Sequence, residues 1–240
     1  MNDQAGDIQA ACIRIASTDE IAPALDSAGL RLDRAVIVLV GGAGIMGEKE
    51  FETVAQVLRD EVVPVAERRD AVVIDGGTDS GVMQLIGRAR SALHGRFPLI
   101  GVAAEGTVLL PGAGTPSPDA VKLEPNHTLF LLVPGTQWGD EARWMTDVAG
   151  VVAGRRSSVT VLMNGGQIAY TDVAASLGRG RPVVVLAGSG RTADAIARAR
   201  AGNGEDNRAV EIAASPLMTV ADVGKSGMAA AAIEAVLEGG

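Results

Sequence analysis

Short apolar runs of strand length recur along the chain, and most are followed by a stretch in which apolar residues return every three or four positions. The runs lie at 35–40, 71–74, 99–104, 128–133, 159–163 and 183–186, with almost no polar interruption, as strands buried on both faces require. Between them the period changes to that of a helix. Phe51, Val54, Ala55 and Leu58 share one helical face, as do Val82, Leu85, Ile86 and Ala89. A helix over 140–152 carries Trp144, Val148, Val151 and Val152, and a later one carries Ile168, Ala174 and Leu177. Thr192 is placed to cap a helix packed through Ala193, Ile196 and Ala197. A short first strand is expected at 8–15 and a final packing helix at 228–237, whereas the stretch from Gly204 between them reads poorly.

The segment 71–88, AVVIDGGTDSGVMQLIGR, states the theme in miniature. An apolar run turns on Gly76 and Gly77, and Asp79 or Ser80 caps the helix that begins there. The first amides of such a helix lack intrahelical partners and point, with the positive end of its dipole, above the strand. An anion such as phosphate fits there. Four runs end this way, at Gly41-Gly42, Gly76-Gly77, Gly165-Gly166 and Gly188-Ser189-Gly190. In a parallel sheet these turns gather at the carboxyl edge, where open α/β sheets bind ligands.

Composition narrows the class. With 240 residues, 47% hydrophobic, the chain can bury a full core as one domain, and 31 glycines with only 2% aromatics suit helices lying close on a parallel sheet. The fold class is therefore α/β. A formal charge of -8 argues against nucleic acid as a partner, while backbone amides in glycine turns bind small anions without net positive charge. One cysteine, Cys12, no charged-then-apolar leader and no run near the ~20 residues of a membrane span place the expectation in the cytoplasm. Two histidines, His94 and His127, with that single cysteine do not make the usual zinc sites. His127 opens a strand and is expected to hold a structural hydrogen bond.

Other chemistries fit less well. Gly42, Gly44 and Gly47 satisfy GxGxxG after a strand, but the acidic residue that should hold a ribose about 20 positions on is missing, Asp75 lying too far along. Tyr170 is followed four residues later by Ala174 rather than lysine. An NAD-dependent oxidoreductase is thus a weak reading. No GxSxG elbow surrounds Ser80 or Ser189, and the near P-loop at 219–226 begins with Thr219 instead of glycine. The segment 107–126 carries Pro111, Pro116, Pro118 and Pro125 and leaves from a strand's carboxyl end, so it is expected to form a lid or rim. Trp138, in the loop PGTQWGDE, either stacks on a base or packs under the next helix.

Five blocks, VVIDGGTDSGVMQLIGRA, IGVAAEGTV, LEPNHTLFLLVPGT, MNGGQIAYTDV and VVVLAGSGRTADAIA, resemble in order the SLOG domain found at the N-terminus of TRPM-type cation channels and in prokaryotic stand-alone relatives. The resemblance covers about 35–199 and implies one Rossmann-like, three-layer domain with a mainly parallel sheet. It implies a cytoplasmic sensor of a nucleotide-derived ligand, ADP-ribose, its cyclic forms or another adenine nucleotide, with no required cofactor. Carried over by position, Gly41, Gly42, Ala43 and Gly44, and then Gly76, Gly77, Thr78, Asp79, Ser80 and Gly81, form phosphate-facing turns. Asn164, Gly165 and Gly166 line the nucleotide, and Gly188, Ser189 and Gly190 with Arg191 hold the pyrophosphate. A guanidinium beside a helix N-terminus suits that task. A homo-oligomer is expected, as among relatives, and the resemblance does not extend to transport. A related branch, the LOG phosphoribohydrolases that release a base from a nucleoside monophosphate, supplies the alternative. Their PGGxGTxxE corresponds to NGGQIAYTD, with Asp172 at the glutamate and Arg143 as its loosely placed partner.

Overall fold

The computed structural model describes residues 10–42, 44, 46–110 and 114–239. Ala43, Pro111 and the start of the expected first strand at residue 8 lie outside them. In chain order the elements begin with β1 (Ala11–Arg14), α1 (Ile21–Ser27), β2 (Val36–Gly41), α2 (Glu48–Val57), α3 (Val63–Arg68), β3 (Val72–Asp75) and α4 (Gly81–Ala92). There follow β4 (Leu99–Ala104), β5 (Val108–Leu109), β6 (Val121–Lys122), β7 (Leu129–Val133), α5 (Ala142–Ala153), β8 (Ser158–Met163) and α6 (Gln167–Gly178). The last are β9 (Val183–Ala187), α7 (Arg191–Arg200), α8 (Asn207–Ala213), β10 (Met218–Asp222) and α9 (Met228–Glu238).

Eight strands form one sheet in the order β1-β7-β4-β3-β2-β8-β9-β10, and every pairing in it is parallel. Alternation along β2 shows how the layers arise. Val36, Val38 and Val40 face α1, α5, α6, α7 and α8, while Ile37 and Leu39 face α2, α3, α4 and α9. Each central strand is thus buried on both sides, the reason its sequence reads as an apolar run. The result is a three-layer, Rossmann-like α/β fold. After β2 the chain builds β3 and β4 on one side and returns to place β8 on the other, so the order reverses at the carboxyl ends of β2 and β8.

Four expectations need correction. A strand, β10, lies in the stretch that read poorly: only Met218 and Ala221 of its five residues are buried, so an edge strand with one wet side gives no apolar run. On α6 the buried residues are Ala169, Tyr170, Asp172, Val173 and Ser176, and Ile168 stands 38% exposed. Thr192 does not cap α7. Gly190 is at the N-cap, and the Thr192 hydroxyl donates to the Gly166 carbonyl at 2.9 Å. Finally, 107–126 is more than a loop, since β5 and β6 pair within it and Leu123 bridges antiparallel to Thr78.

Candidate functional site

Because all strands of the sheet run one way, the four glycine turns emerge at one edge. A cavity of about 400 Å³ opens there, at the switch between β2 and β8, within the size range of small-ligand sites. Of the residues expected to bind, Gly41, Gly42, Gly44, Gly76, Thr78, Ser80, Gly166 and Arg191 line it, and so does Asp172.

The remaining residues shape the turns from behind. Gly77, at φ 69°, packs its Cα against Gly101, where an added Cβ would come within 2.8 Å of that backbone. Its amide donates to Asp75 Oδ1 at 2.7 Å, and the Asp79 amide to the Lys122 carbonyl at 2.7 Å. Gly81 opens α4 behind the cavity, with Ser80 at the N-cap and the Ser80 hydroxyl 3.2 Å from that of Thr78. Asn164 is fully buried and ties two turns together, its amide donating to Ser189 Oγ at 2.8 Å and its Nδ2 to the Ser189 carbonyl at 2.9 Å. Gly165, Gly188, Ser189 and Gly190 do not reach the cavity wall. The Ala193 amide of α7 is taken by the Asn164 carbonyl at 2.9 Å, so this helix spends part of its N-terminus on the neighbouring turn. Ala43 lies outside the described residues.

The helix that does open on the cavity is α6. Gly166, Gln167, Ile168 and Ala169 all contribute to its lining. Arg191, held at φ 47° by the turn that precedes α7, lays its guanidinium across the glycines. A Cβ on Gly166 would lie 3.2 Å from Arg191 Nη2, and one on Gly42 3.5 Å from Nη1. Arg191 enters none of the ion pairs formed among the described residues. Asp194, its nearest sequence candidate, accepts from the Gly188 amide instead. An unpaired guanidinium and a helix N-terminus together favour negative charge at this place.

Two carboxyls supply the other ionisable groups that line the cavity. Asp172 is 8% exposed and its Oδ1 has no hydrogen-bond partner. Burial, and behind it the charge of Glu141, push its carboxyl up to about 7. Burial also raises Glu141, which lines the cavity and accepts from the Gly139 amide at 3.0 Å. Trp138, half-buried, and Ile168 give the rim an apolar side. Arg143 is not brought to Asp172. It faces a separate groove of about 870 Å³ lined by Ser157, Ser158 and Pro182, at the amino ends of β8 and β9, and it pairs with Asp147 at 3.8 Å.

Asp75 does not line the cavity either. It is fully buried, and His127 is held between it and Glu124 at 2.8 Å on either side. Glu141 and Gln167 were missed by sequence reasoning, although both follow a parallel strand by a few residues and so had to fall at the carboxyl edge.

Comparison with known proteins places this geometry in a family. Residues 34–231 match the family described as "SLOG in TRPM, prokaryote". Among curated proteins, the "Transient receptor potential cation channel subfamily M member 2" of Mus musculus is 30% identical over 208 residues, 71% of this chain and 14% of the channel subunit. The protein of the same name from Rattus norvegicus is 29% identical over 211 residues, 72% of this chain and 14% of its own length. The chain thus spans about 14% of the length of these relatives. With the match running from the start of β2 into α9, the chain belongs to the family of SLOG domains of TRPM type, in its prokaryotic form.

Proposed function

We propose that the cavity at the β2/β8 switch binds a nucleotide-derived ligand, of the class of ADP-ribose, its cyclic forms or another adenine nucleotide, and that the domain works as a cytoplasmic sensor of it. The observation that carries this reading is Arg191, unpaired among the described residues and spread over Gly42 and Gly166 beside the N-terminus of α6. A molecule of charge -8 repels anions at a distance, so a local device of this kind is what lets one settle. Trp138 offers the base an indole face. Titration calorimetry with ADP-ribose, AMP and ADP should give saturable binding, and Arg191→Ala should weaken it at least about tenfold, the loss expected of a charge-assisted phosphate contact. Absence of binding by every adenine nucleotide and ADP-ribose derivative at millimolar concentration would remove the proposal. The reading also takes in a homo-oligomer, which light scattering on the purified protein checks.

One observation favours a second reading, a nucleotide N-glycosidase. Asp172 is buried in the cavity with its carboxyl raised to about 7, a poise suited to acid catalysis at neutral pH. It would act without Arg143, which faces the other groove. Chromatography of AMP incubated with the protein should then show free base, with release abolished in Asp172→Asn.

A further inference from the structure

We infer that Glu141 and Asp172 form an acidic subsite in this cavity, where the vicinal hydroxyls of a ribose donate hydrogen bonds, so that ribosides are preferred over deoxyribosides and increasingly so as pH rises. The inference rests on the nucleotide-binding reading and adds to it which part of the ligand goes where. Asp172 is more than nine-tenths buried, lines the cavity, and keeps Oδ1 without a partner. Such an acceptor is costly to leave unsatisfied, and a ligand donor placed there relieves the cost. Glu141 comes from the N-cap of α5, which packs against α6, and its carboxyl is steadied by the Gly139 amide. Two carboxyls held on adjacent helices present acceptors to a 2′,3′-diol, and they repel phosphate. Arg191, paired with neither, attracts it. The ligand is thereby oriented, with phosphate over the glycine turns and ribose toward α5 and α6.

Among the described residues, the titratable and charged groups that line the cavity are Glu141 from α5, Asp172 from α6 and Arg191 from α7; the other residues that line it from β2, β4, α4 and the 107–126 segment are uncharged. Asp140, beside Glu141, adds its charge from outside the lining. Burial, and behind it the charge of Glu141, keep a proton on Asp172 up to about pH 7. Above that the ionised carboxylate is the stronger acceptor.

The test compares AMP with 2′,3′-dideoxyadenosine monophosphate by calorimetry from pH 6 to pH 8. Both carry the same phosphate, so its titration cancels in the ratio of affinities. AMP is expected to bind about tenfold tighter at pH 8, with the ratio shrinking toward pH 6, while Asp172→Asn should reduce the ratio several-fold and remove its pH dependence. Glu141→Gln should shift the pH at which the ratio changes downward, because it removes the repelling charge. A melting curve for each variant confirms folding, and Asp172→Asn is expected to melt no lower than the parent at pH 8, since it replaces an unpartnered buried charge by an amide. Equal affinity for the two ligands in the parent, or an unchanged ratio in Asp172→Asn, overturns the subsite and leaves the cavity's nucleotide role standing. Failure of AMP and its dideoxy analogue to bind overturns the subsite, and failure of ADP-ribose and every other adenine nucleotide as well overturns the nucleotide reading with it.

Discussion

Beside the turns that Arg191 covers stands a carboxylate. Glu50 Oε2 accepts from the Gly47 amide at 3.1 Å, closing the N-terminus of α2, and lies 3.4 Å from Asn164 Nδ2. A Cβ on Gly190 would meet Glu50 Oε1 at 2.5 Å, so this carboxylate fills the β9 turn that the sequence assigned to a pyrophosphate. It satisfies polar groups of the neighbouring turns, and its charge opposes an anion at the adjoining Gly42 and Gly166. Glu50→Gln keeps an acceptor for the Gly47 amide while removing the charge. Calorimetry should therefore show ADP-ribose binding a few-fold tighter to this variant at low salt, about 1 kcal/mol, with the advantage fading as ionic strength rises. An equal gain at high salt would mean that the effect is not electrostatic. Glu50 could not be read as a site residue from the sequence, because nothing in the helix pattern of α2 says which turn its side chain reaches.

At the scale of elements, the segment after β6 is strapped to the β3 turn. The Glu124 amide donates to the Gly77 carbonyl at 2.9 Å, and beneath this backbone pairing His127 joins Glu124 to Asp75. Because Val121 and Thr78 line the cavity, the strap fixes one of its walls. Burial alone would lower the His127 pKa, but Asp75 and then Glu124 overcome it and raise the imidazole to about 9. A group raised in this way stabilises the fold fully below its ordinary pKa of about 6.5, and the contribution is lost as pH climbs through about 9. The melting temperature of the parent should fall between pH 7 and pH 10, and in His127→Gln that component should be absent. His127→Ala leaves two buried carboxylates facing each other and should cost about 3–5 kcal/mol in denaturant unfolding at pH 7. An unchanged melting temperature up to pH 10 would sink the assignment. The strap also explains Gly87 in the middle of α4, where a Cβ would fall 2.0 Å from Glu124 Oε2. A similar contact works elsewhere in the same layer. The π-helical turn at Leu58–Val62 directs Glu61, 8% exposed, at the Gly227 and Ala230 amides that begin α9. Such links join residues far apart in sequence, so the periodicity that revealed α2 and α4 said nothing about them. The same limit explains α6, whose buried face depends on which neighbours cover it, with Ile168 turned to the cavity rim.

Across the whole molecule, one fact organises both what was legible and what was not. A sheet with every strand parallel sends all its connecting turns to a single edge, and the apolar runs of β2, β3, β8 and β9 with their glycines were enough to foresee that convergence. Edge strands are another matter. β10 has only two buried residues and did not announce itself, whereas β1, foreseen within 8–15, has none; each extends the sheet and helps position the helices that close the core. The stretch 35–199, which holds the recognisable motifs, should therefore not fold by itself. It lacks Ile21 and Leu25 of α1, Ile212 of α8, Met218 of β10, and Ile233 and Leu237 of α9, all buried, and these cover both faces of the sheet. Each such side chain contributes about 1.5–3 kcal/mol when withdrawn from water, against a net domain stability of about 5–15 kcal/mol. Removing them together takes away a stabilisation comparable to the whole. A 35–199 fragment should accordingly lack a cooperative thermal transition and the near-ultraviolet dichroism of Trp138 and Trp144, whereas a fragment covering 10–239 should keep both. Cooperative melting of the shorter fragment, with ligand binding intact, would mean that the outer elements decorate the fold rather than hold it.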